Sequence, residues 1–368
     1  MTARSHRTGK LRVLFAMNWG FLPEVVGGVQ TSILDLCNGL DRAGAAPAVL
    51  CRRTTFRRAF AWRAPRWRIL REANPAGAMA RVARRLKPHA IVVVQSDVTR
   101  TLVAAARRLR LPAAIDMQTT EITKLDMPLL PDDGLLVFAA GSFAAKQLAT
   151  AYGVAVEQLP LAIDHRRWRP LRAARTRDTL LFINPHPVKG LEIVRRIALA
   201  RPEYRFVVCE SWPLSGDWRW WADSRMAGIA NIRHLPPQPD LRPFFARARG
   251  LLMPSIWEEC VGRATMEAQA HGVPVIASRR GGLPEQVGEG GACVDLHAPL
   301  DTWLAEVDRL MRDDRHHARL VAGARRRSRE PDRDLDRVVA RFLEVIEPHA
   351  RRVRLAQLAD GLRPPARP

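Results

Sequence analysis

Short apolar runs that alternate with longer helical patterns constrain the fold of this 368-residue chain more than any other feature. A strand buried on both faces of a parallel sheet is apolar throughout, and the helix after it shows a periodicity of 3.6 residues. The first half contains five such apolar runs, at residues 11–17, 46–51, 91–95, 113–117 and 135–139. Helical patterns lie between them, as at 31–43 and 100–110. This alternation predicts a parallel sheet with helices on both faces.

The same alternation restarts in the second half of the chain. Six further apolar runs predict a second sheet, at residues 179–183, 206–209, 232–235, 250–253, 274–277 and 292–294. Because 368 residues exceed one typical hydrophobic core, we predict an α/β fold with two Rossmann-like, doubly wound domains that face each other across a cleft. The carboxyl ends of the strands should line that cleft, so the ligand is expected there.

The predicted domain boundaries follow from the positions of the two strand sets. Residues 1–168 form the N-terminal domain, and residues 178–331 form the C-terminal domain. Residues 169–177 contain Pro170 and several charges, which are typical of an exposed linker. Residues 332–368 carry a last helical pattern, which we expect to pack back toward the N-terminal domain, and a tail with three prolines that should fray.

The composition limits the partners and the compartment. Arginine supplies nearly all of the formal net charge of +22, which attracts phosphates, anionic lipid or nucleic acid, although an arginine-rich genome gives the same composition. The five cysteines lie far apart without metal-site spacing, so we expect reduced thiols in a cytoplasmic protein and no metal. No apolar run is long enough to span a membrane, and the run near the N-terminus lacks a secretory cleavage site.

Two glutamates in the second half give the strongest chemical signal. Glu259 and Glu267 follow the strand predicted at residues 250–253, and a helix should begin near Gly262. If Glu259 lies in the turn and Glu267 in the helix, the two carboxylates can hold two ends of an elongated ligand. The amides at the helix N-terminus between them would suit a phosphate group. Two solvated glutamates beside a core helix are the structural alternative.

The surroundings of this pair resemble glycosyltransferase family 4, the retaining glycosyltransferases of group 1, which have the GT-B fold. The shared pattern comprises Pro254-Ser255, two glutamates separated by seven residues, Gly272-Val-Pro-Val275, Gly281-Gly282 and Glu285. By this resemblance, Glu259 contacts the transferred sugar as a catalytic residue, and Glu267 binds the nucleotide ribose. The resemblance also implies that the C-terminal domain binds a nucleoside-diphosphate sugar and the N-terminal domain binds the acceptor.

Further residues complete the implied donor site. Lys189 opens a helix, and a cation there can stabilise the departing diphosphate, so we count it as catalytic. The family has an arginine where this chain has Asn184, and Arg263 or a protonated His186 would have to compensate. We therefore predict that the donor is bound by Gly27, Gly28, Asn184, His186, Gly262, Arg263, Glu267, Gly281 and Gly282.

The acceptor side of the predicted cleft departs from the family pattern. Gln118 stands where the family often has a histidine after the fourth strand of the first half. Glutamine does not exchange protons near neutral pH, but it can hydrogen-bond a sugar hydroxyl. Asp116 is the nearest titratable group, and the sequence names no general base.

Residues 52–71 contain eight arginines interleaved with four aromatic residues. Such a segment suits an anionic membrane surface, and it also suits a phosphorylated acceptor or RNA. A solvated helix with inward-facing aromatic rings is the structural alternative.

We therefore predict a retaining, metal-independent bacterial glycosyltransferase with no cofactor besides its nucleoside-diphosphate sugar. Its acceptor would be a glycan or a lipid-linked compound, as in cell-surface polysaccharide or glycolipid synthesis. The protein should be cytoplasmic or peripheral on the inner face of the membrane, contacting it through residues 52–71, and should not bind nucleic acid. Two alternatives stay open: a nucleotide-sugar epimerase of the same fold, and a non-catalytic basic protein that binds a membrane or nucleic acid.

Overall fold

The structure is a computed structural model of the chain. It describes residues 10–55, 63–122, 125–131, 134–172, 176–211, 214, 216–238 and 240–361, and for residues 357–361 it describes the backbone. Several predicted features lie outside the described residues: Phe56, Phe60 and Trp62 of segment 52–71, residues 173–175 of the linker, and the proline-containing tail after residue 361.

The first half forms a parallel sheet with β1 near its centre. The strands are β1 (Arg12–Ala16), β2 (Ala46–Arg52), β3 (Arg68–Glu72), β4 (Ala90–Val94), β5 (Ala113–Met117), β6 (Leu136–Ala139) and β7 (Glu157–Gln158), and the helices are α1 (Gly28–Arg42), α2 (Pro75–Leu86), α3 (Thr99–Arg108) and α4 (Ser142–Tyr152). Their order in the sheet is β3-β2-β1-β4-β5-β6-β7, and the pairs are parallel.

The second half forms another parallel sheet of the same kind. Its strands are β8 (Thr179–Ile183), β9 (Arg205–Cys209), β10 (Ile232–Leu235), β11 (Ala248–Met253), β12 (Val275–Ser278) and β13 (Gly291–Val294). Its helices are α5 (Leu191–Ala200), α6 (Gly216–Met226), α7 (Arg242–Arg247), α8 (Arg263–Ala270), α9 (Leu283–Val287), α10 (Leu300–Arg312) and α11 (Asp314–Arg327). The sheet order is β10-β9-β8-β11-β12-β13.

Burial explains why these segments form these elements. Every residue of β4 and of β5 is buried, as expected for strands covered by helices on both faces. Helix α2 buries one stripe that includes Ala78, Met79, Val82 and Ala83, and its opposite face carries arginines. The predicted α/β architecture with two parallel sheets is therefore confirmed.

Two strands, β3 and β7, were not predicted, and both lie at an edge of the first sheet. The sequence of β3 is Arg-Ile-Leu-Arg-Glu, and its residues are exposed or half-buried. Strand β7 has two residues. Edge strands escape detection because they face water and so lack the continuous apolar run of a central strand.

Strand β3 and Trp67 change the interpretation of segment 52–71. Trp67 is buried, donates its indole N–H to Asn38 Oδ1 at 3.0 Å, and contacts Phe21 edge-on at 6.3 Å between ring centroids. Trp67 is thus a core side chain, and the idea that it belongs to a surface that contacts a membrane is wrong. The part of the prediction that rests on residues 56–62 stays a prediction.

The last helix, α12 (Leu335–Gly361), follows the second sheet in the chain but packs against the first. Phe342 lies between Phe15 of β1 and Phe138 of β6, with ring centroids 5.9 and 5.5 Å apart. Because this apolar contact joins the end of the chain to the first sheet, α12 fixes how the two halves meet. None of the helices in the described ranges combines the length and apolar composition that a membrane crossing needs.

Candidate active site in the cleft between the sheets

The turns at the carboxyl ends of strands from both sheets meet in one cleft, which contains two adjoining pockets of about 140 and 330 Å³. Loops after β1 and β5 line it from one side, and loops after β8 and β11 line it from the other. The predicted site residues that line these pockets are Gly27, Gly28, Gln118, Asn184, His186, Lys189, Glu259, Gly262, Arg263 and Glu267. The fold thus brings together residues that lie up to 240 positions apart in the chain.

Glu259 lies in the loop between β11 and α8 and is held by two partners. Lys189 Nζ lies 2.5 Å from Glu259 Oε1, and Ser255 Oγ donates to the same oxygen at 2.8 Å. The Ser255 carbonyl in turn accepts a hydrogen bond from Ser278 Oγ at 2.6 Å. Glu259 is buried. Its carboxylate therefore has a fixed orientation and a direct ionic contact with the lysine at the facing helix turn.

Gly281 and Gly282 lie behind this loop and support it from outside the pockets. Gly282 N–H donates to the Glu259 carbonyl at 2.7 Å. A Cβ on Gly281 would meet the backbone oxygen of Glu259, and a Cβ on Gly282 would meet that of Cys260. Gly281 also has a φ of +57°, which favours glycine. Gly281 and Gly282 therefore support the Glu259 loop, and their contact with a donor stays a prediction.

We expect Gly281→Ala to destabilise the protein more than Gly228→Ala does. Gly228 has a φ of +75° and open space where a Cβ would stand, so its substitution carries backbone strain alone, about 1 kcal/mol. Gly281→Ala adds the collision with Glu259, which should cost about 2 kcal/mol more. Urea unfolding of both variants gives the comparison. Equal losses would show that the loop moves aside freely.

Glu267 belongs to a buried ionic cluster that crosses the cleft. Arg263, one turn earlier on α8, places Nε 3.1 Å from Glu267 Oε1. Its Nη2 contacts Asp35 of α1, and its Nη1 donates to Ser32 Oγ at 3.2 Å and to the Ala162 carbonyl at 3.0 Å. Arg263, Glu267 and Asp35 are all buried. Arg263 is therefore saturated by protein partners, so it does not offer a free charge to a diphosphate in this conformation.

Asp35 and Arg167 are members of this cluster that the sequence did not single out. Asp35 is 1% exposed, and its second oxygen accepts from Arg167 Nη1 at 2.9 Å. Burial raises the pKa of Glu267, and the Arg263 guanidinium opposes that rise. A signal was available for Asp35, because its neighbours one turn away on α1, Thr31, Ser32 and Asn38, form a polar stripe next to the Gly27–Gly28 turn.

Asn184 terminates β8 in a left-handed conformation, with a φ of +66°. Asparagine tolerates this region better than most residues with a side chain. Its Oδ1 accepts from Ser211 N–H at 2.8 Å, and its backbone N–H donates to the Cys209 carbonyl at 2.8 Å. Asn184 thus ties the ends of β8 and β9 together at the pocket wall and brings no charge to it.

His186 caps the short 3₁₀ turn that presents Lys189, since its Nδ1 accepts from Val188 N–H at 3.4 Å. Its ring lies 4.6 Å from the ring of Trp218. Burial and the nearby Lys189 charge lower the pKa of His186, which favours the neutral imidazole near neutral pH. A protonated His186 that replaces the missing arginine is therefore disfavoured.

Gly27 and Gly28 form the N-terminus of α1 on the other side of the cleft. The Gly27 carbonyl accepts from Thr31 N–H at 3.0 Å and from Thr31 Oγ1 at 2.9 Å. A Cβ on Gly28 would stand 3.5 Å from Arg263 Cβ. This loop therefore lies directly across from the start of α8, where the two halves come closest around the pocket.

Gln118 and Asp116 are the predicted acceptor residues, and they contact each other. Gln118 Nε2 donates to Asp116 Oδ2 at 2.7 Å, and Gln118 Oε1 is buried with no hydrogen-bond partner among the described residues. Gln118 lines the larger of the two pockets, whereas Asp116 lies beneath it. The orphaned amide oxygen is an acceptor that a ligand hydroxyl can satisfy. Burial raises the pKa of Asp116 from 3.8 to about 6, and the Gln118 hydrogen bond opposes that rise.

Because the pKa of Asp116 is raised, the free energy of unfolding should depend on pH. Asp116→Asn should remove this contribution to the pH dependence. A carboxyl with a higher pKa in the folded chain stabilises it at low pH, and this contribution disappears as the pH rises through 6. Relative to Asp116→Asn, the wild type should lose about 1–2 kcal/mol of unfolding free energy between pH 5 and pH 8. Urea titrations of both proteins at the two pH values measure it. Parallel pH profiles would contradict the assignment.

Among the residues that the structure describes, no group of three His, Cys, Asp or Glu side chains could hold a metal ion. The described cysteines are free thiols. Burial raises the pKa of Cys260, the cysteine beside Glu259, to about 12, so this thiol is inert as a nucleophile.

Comparison with known proteins locates the similarity mainly in the second half. Residues 180–313 match the family model described as Glycosyl transferases group 1. The chain is 30% identical over 205 residues to the MMP alpha-(1->4)-mannosyltransferase of Mycolicibacterium hassiacum, a match that covers 53% of this chain and 49% of that protein. It is 42% identical over 96 residues to the D-inositol 3-phosphate glycosyltransferase of Corynebacterium diphtheriae, covering 25% of this chain and 22% of the other. The chain thus matches about half or less of the length of these curated relatives.

The similarity in three dimensions extends over almost the whole chain. The structure of Anabaena HepE in complex with UDP-glucose superposes with a TM-score of 0.73 and 14% identity, covering 92% of this chain and all of that chain. At this identity the likeness establishes the fold, which is GT-B. The family match over residues 180–313 and the GT-B fold together confirm the resemblance to the group 1 glycosyltransferases that the sequence predicted.

Proposed function

We propose that this protein is a retaining, metal-independent glycosyltransferase that moves a sugar from a nucleoside-diphosphate sugar to a glycan or lipid-linked acceptor. The observation that carries the proposal is the Lys189–Glu259 pair. It places a cation and a fixed carboxylate 2.5 Å apart in the cleft, beside the N-terminus of α8. A diphosphate needs the cation and the helix amides, and a sugar hydroxyl needs the carboxylate.

The cleft offers the three groups of an elongated donor in the order that a nucleotide sugar requires. Glu267 on α8 is the site for the ribose hydroxyls. Gly262, at the start of that helix, has a φ of +70° and no side chain, so a diphosphate can approach the helix amides closely. Glu259 and Lys189 follow at the sugar end. The Gly27–Gly28 turn closes the cleft over the diphosphate from the other half.

Departure of the nucleoside diphosphate is the step that this site must assist. Negative charge develops on the leaving oxygen as the glycosidic bond breaks, and Lys189 lies where it can stabilise that charge. Asn184 and a neutral His186 supply hydrogen bonds without charge, and Arg263 is already saturated. We therefore expect Lys189 and the α8 amides to stabilise the negative charge of the leaving diphosphate. Two cross-cleft contacts, Arg263 with Asp35 and Thr120 with the Glu258 carbonyl, link the two halves beside the site.

The acceptor would enter through the larger pocket, where Gln118 presents its orphaned oxygen. A hydroxyl of the acceptor can donate to that oxygen. The name of one relative supports a polyhydroxyl acceptor, since it is a D-inositol 3-phosphate glycosyltransferase. UDP-glucose in the Anabaena structure supports a nucleotide-sugar donor.

A thermal-shift screen against UDP-, GDP-, ADP- and dTDP-sugars tests the donor, because a bound ligand stabilises the folded state. We expect one base to raise the melting temperature of the wild type and to do so much less in Glu267→Ala. Glu306→Ala, on the surface helix α10, is the matched control and should respond as the wild type does.

The products separate this proposal from its competitors. Transfer to an acceptor with the anomeric configuration of the donor, read by NMR, is the expected result. A changed free nucleotide sugar in the absence of acceptor would identify an epimerase instead. No response to any of the nucleotide sugars would reject the donor site.

A further inference from the structure

A second, wider groove lies on the opposite side of the first sheet from the cleft, where the strands begin. Its space is about 990 Å³. The turns that precede β1, β2, β4 and β5 form its floor, and the middle turns of α12 form one wall. Six basic side chains line it: Lys10, Arg12, Lys87, Arg110, Arg351 and Arg354. We call this feature the basic groove.

The fold accounts for part of this charge. Helices α1, α2 and α3 all end at this side of the sheet, and Lys87 caps α2. Each helix C-terminus carries about −0.5 of an elementary charge, so basic residues are expected beside it. Three such ends contribute about −1.5, and Glu347 is the acidic residue of the lining. The lining of the groove therefore carries more positive than negative charge, which favours an anionic ligand.

The cations converge from different elements. Arg12 of β1 donates through Nε to the Lys87 carbonyl at 2.6 Å, and its backbone N–H donates to His89 Nδ1 at 3.2 Å. From the other side, Arg351 lies 3.9 Å from Glu347 on α12. Burial lowers the pKa of His89, and the charges of Arg12 and Arg354 lower it further. Positive charges on β1 and on α12 therefore both act on His89, and a bound anion would offset them.

The size and shape of the basic groove limit the classes of ligand that fit it. A single phosphate would leave most of its space empty, and cations on two walls can bind two or more phosphate groups at once. A concave site between turns suits a compact solute better than a flat bilayer. The groove is also separate from the cleft, because it lies at the amino ends of strands whose carboxyl ends carry Gly27, Gly28 and Gln118.

We propose that the basic groove binds a soluble anion that carries two or more phosphate groups, at a site distinct from the donor cleft.

Isothermal titration of the full chain with inorganic tripolyphosphate tests this at fixed ionic strength. The double variant Arg351→Glu with Arg354→Glu reverses two exposed charges near the end of a helix, where folding should be unaffected. We expect it to bind tripolyphosphate at least about tenfold more weakly than the wild type. The matched control, Arg315→Glu with Arg329→Glu, changes the net charge equally on the other half and should stay within about twofold of the wild type.

Two further experiments locate the bound anion and distinguish a soluble phosphate compound from a lipid headgroup. Because Lys189 can itself bind the probe in the cleft, the comparison is repeated in Lys189→Ala, where adding Arg351→Glu and Arg354→Glu should again weaken tripolyphosphate binding at least about tenfold. An unchanged affinity on adding the two reversals would place the anion elsewhere and overturn the proposal. If both charge-reversal pairs weaken tripolyphosphate binding equally, the binding follows the net charge of the protein and the proposal is rejected. Sedimentation with phosphatidylglycerol–phosphatidylcholine vesicles that depends on Arg351 and Arg354, without tripolyphosphate binding, would replace it by a membrane contact.

Discussion

Replacing Lys189 by alanine should lower kcat/KM for sugar transfer by about 10²–10³-fold, the cost of removing one preorganised charge from a transition state. The effect is expected to be large because the other candidate cations are unavailable. Arg263 is bound by Asp35 and Glu267, and His186 is neutral. Asn184 supplies an amide where the family has an arginine. Arg167 also lines the pocket, but its guanidinium is paired with Asp35.

The loss should appear mainly in kcat, since the diphosphate gains charge as the bond breaks. Steady-state kinetics with the donor identified by thermal shift measures both constants. Lys146→Ala, an exposed lysine of α4, is the control and should behave as the wild type does. An unchanged kcat in Lys189→Ala would remove the lysine from the mechanism. Urea unfolding of the variant separates this effect from a loss of folded protein.

Replacing Asp35 by alanine should destabilise the protein by about 3–5 kcal/mol, because it leaves Arg263 buried without its main counter-charge. Arg167, whose side chain is 31% exposed, can turn toward water, but Arg263 is 5% exposed and cannot. The same change should raise KM for the donor, since Arg263 also orients Glu267. Asp41→Ala removes an exposed carboxylate from the same helix and is the matched control.

A double variant tests whether the stability lost in Asp35→Ala comes from the broken ionic cluster or from the volume that the side chain filled. Asp35→Leu with Arg263→Met replaces the buried pair by apolar side chains, which is often neutral or stabilising. We expect it to recover most of the stability lost in Asp35→Ala while the donor KM stays high. If the double variant loses as much stability as Asp35→Leu and Arg263→Met lose together, the two residues act independently. That result would contradict the cluster.

The central strands and the turn that carries Glu259 could be predicted from sequence because local patterns specify them. Strands β4 and β5 are continuous apolar runs, and such runs indicate burial on both faces whatever lies around them. The half-exposed strand β3 shows where this reasoning stops. Its sequence fits an exposed loop as well as it fits a strand. Only its pairing with β2 in the structure identifies it as a strand.

The site divides in the same way. Lys189 and Glu259 could be paired as candidates from the resemblance alone, although they lie 70 residues apart. Asp35 could not be assigned to Arg263, which lies 228 residues away on another sheet's helix. Gly281 and Gly282 could be named from the pattern as part of the site, whereas their packing against the backbone of Glu259 and Cys260 is visible only in the structure.

The sequence by itself determined the two parallel sheets and the helix turn with its glutamates, because hydrophobic periodicity and glycine positions act over a few residues. Only the tertiary structure decided which charged groups pair with which. The energy of an ion pair depends on distance and burial, and neither is encoded locally. Arg263 therefore changes from a candidate phosphate ligand into a saturated cross-cleft contact, and Lys189 remains as the cation beside Glu259.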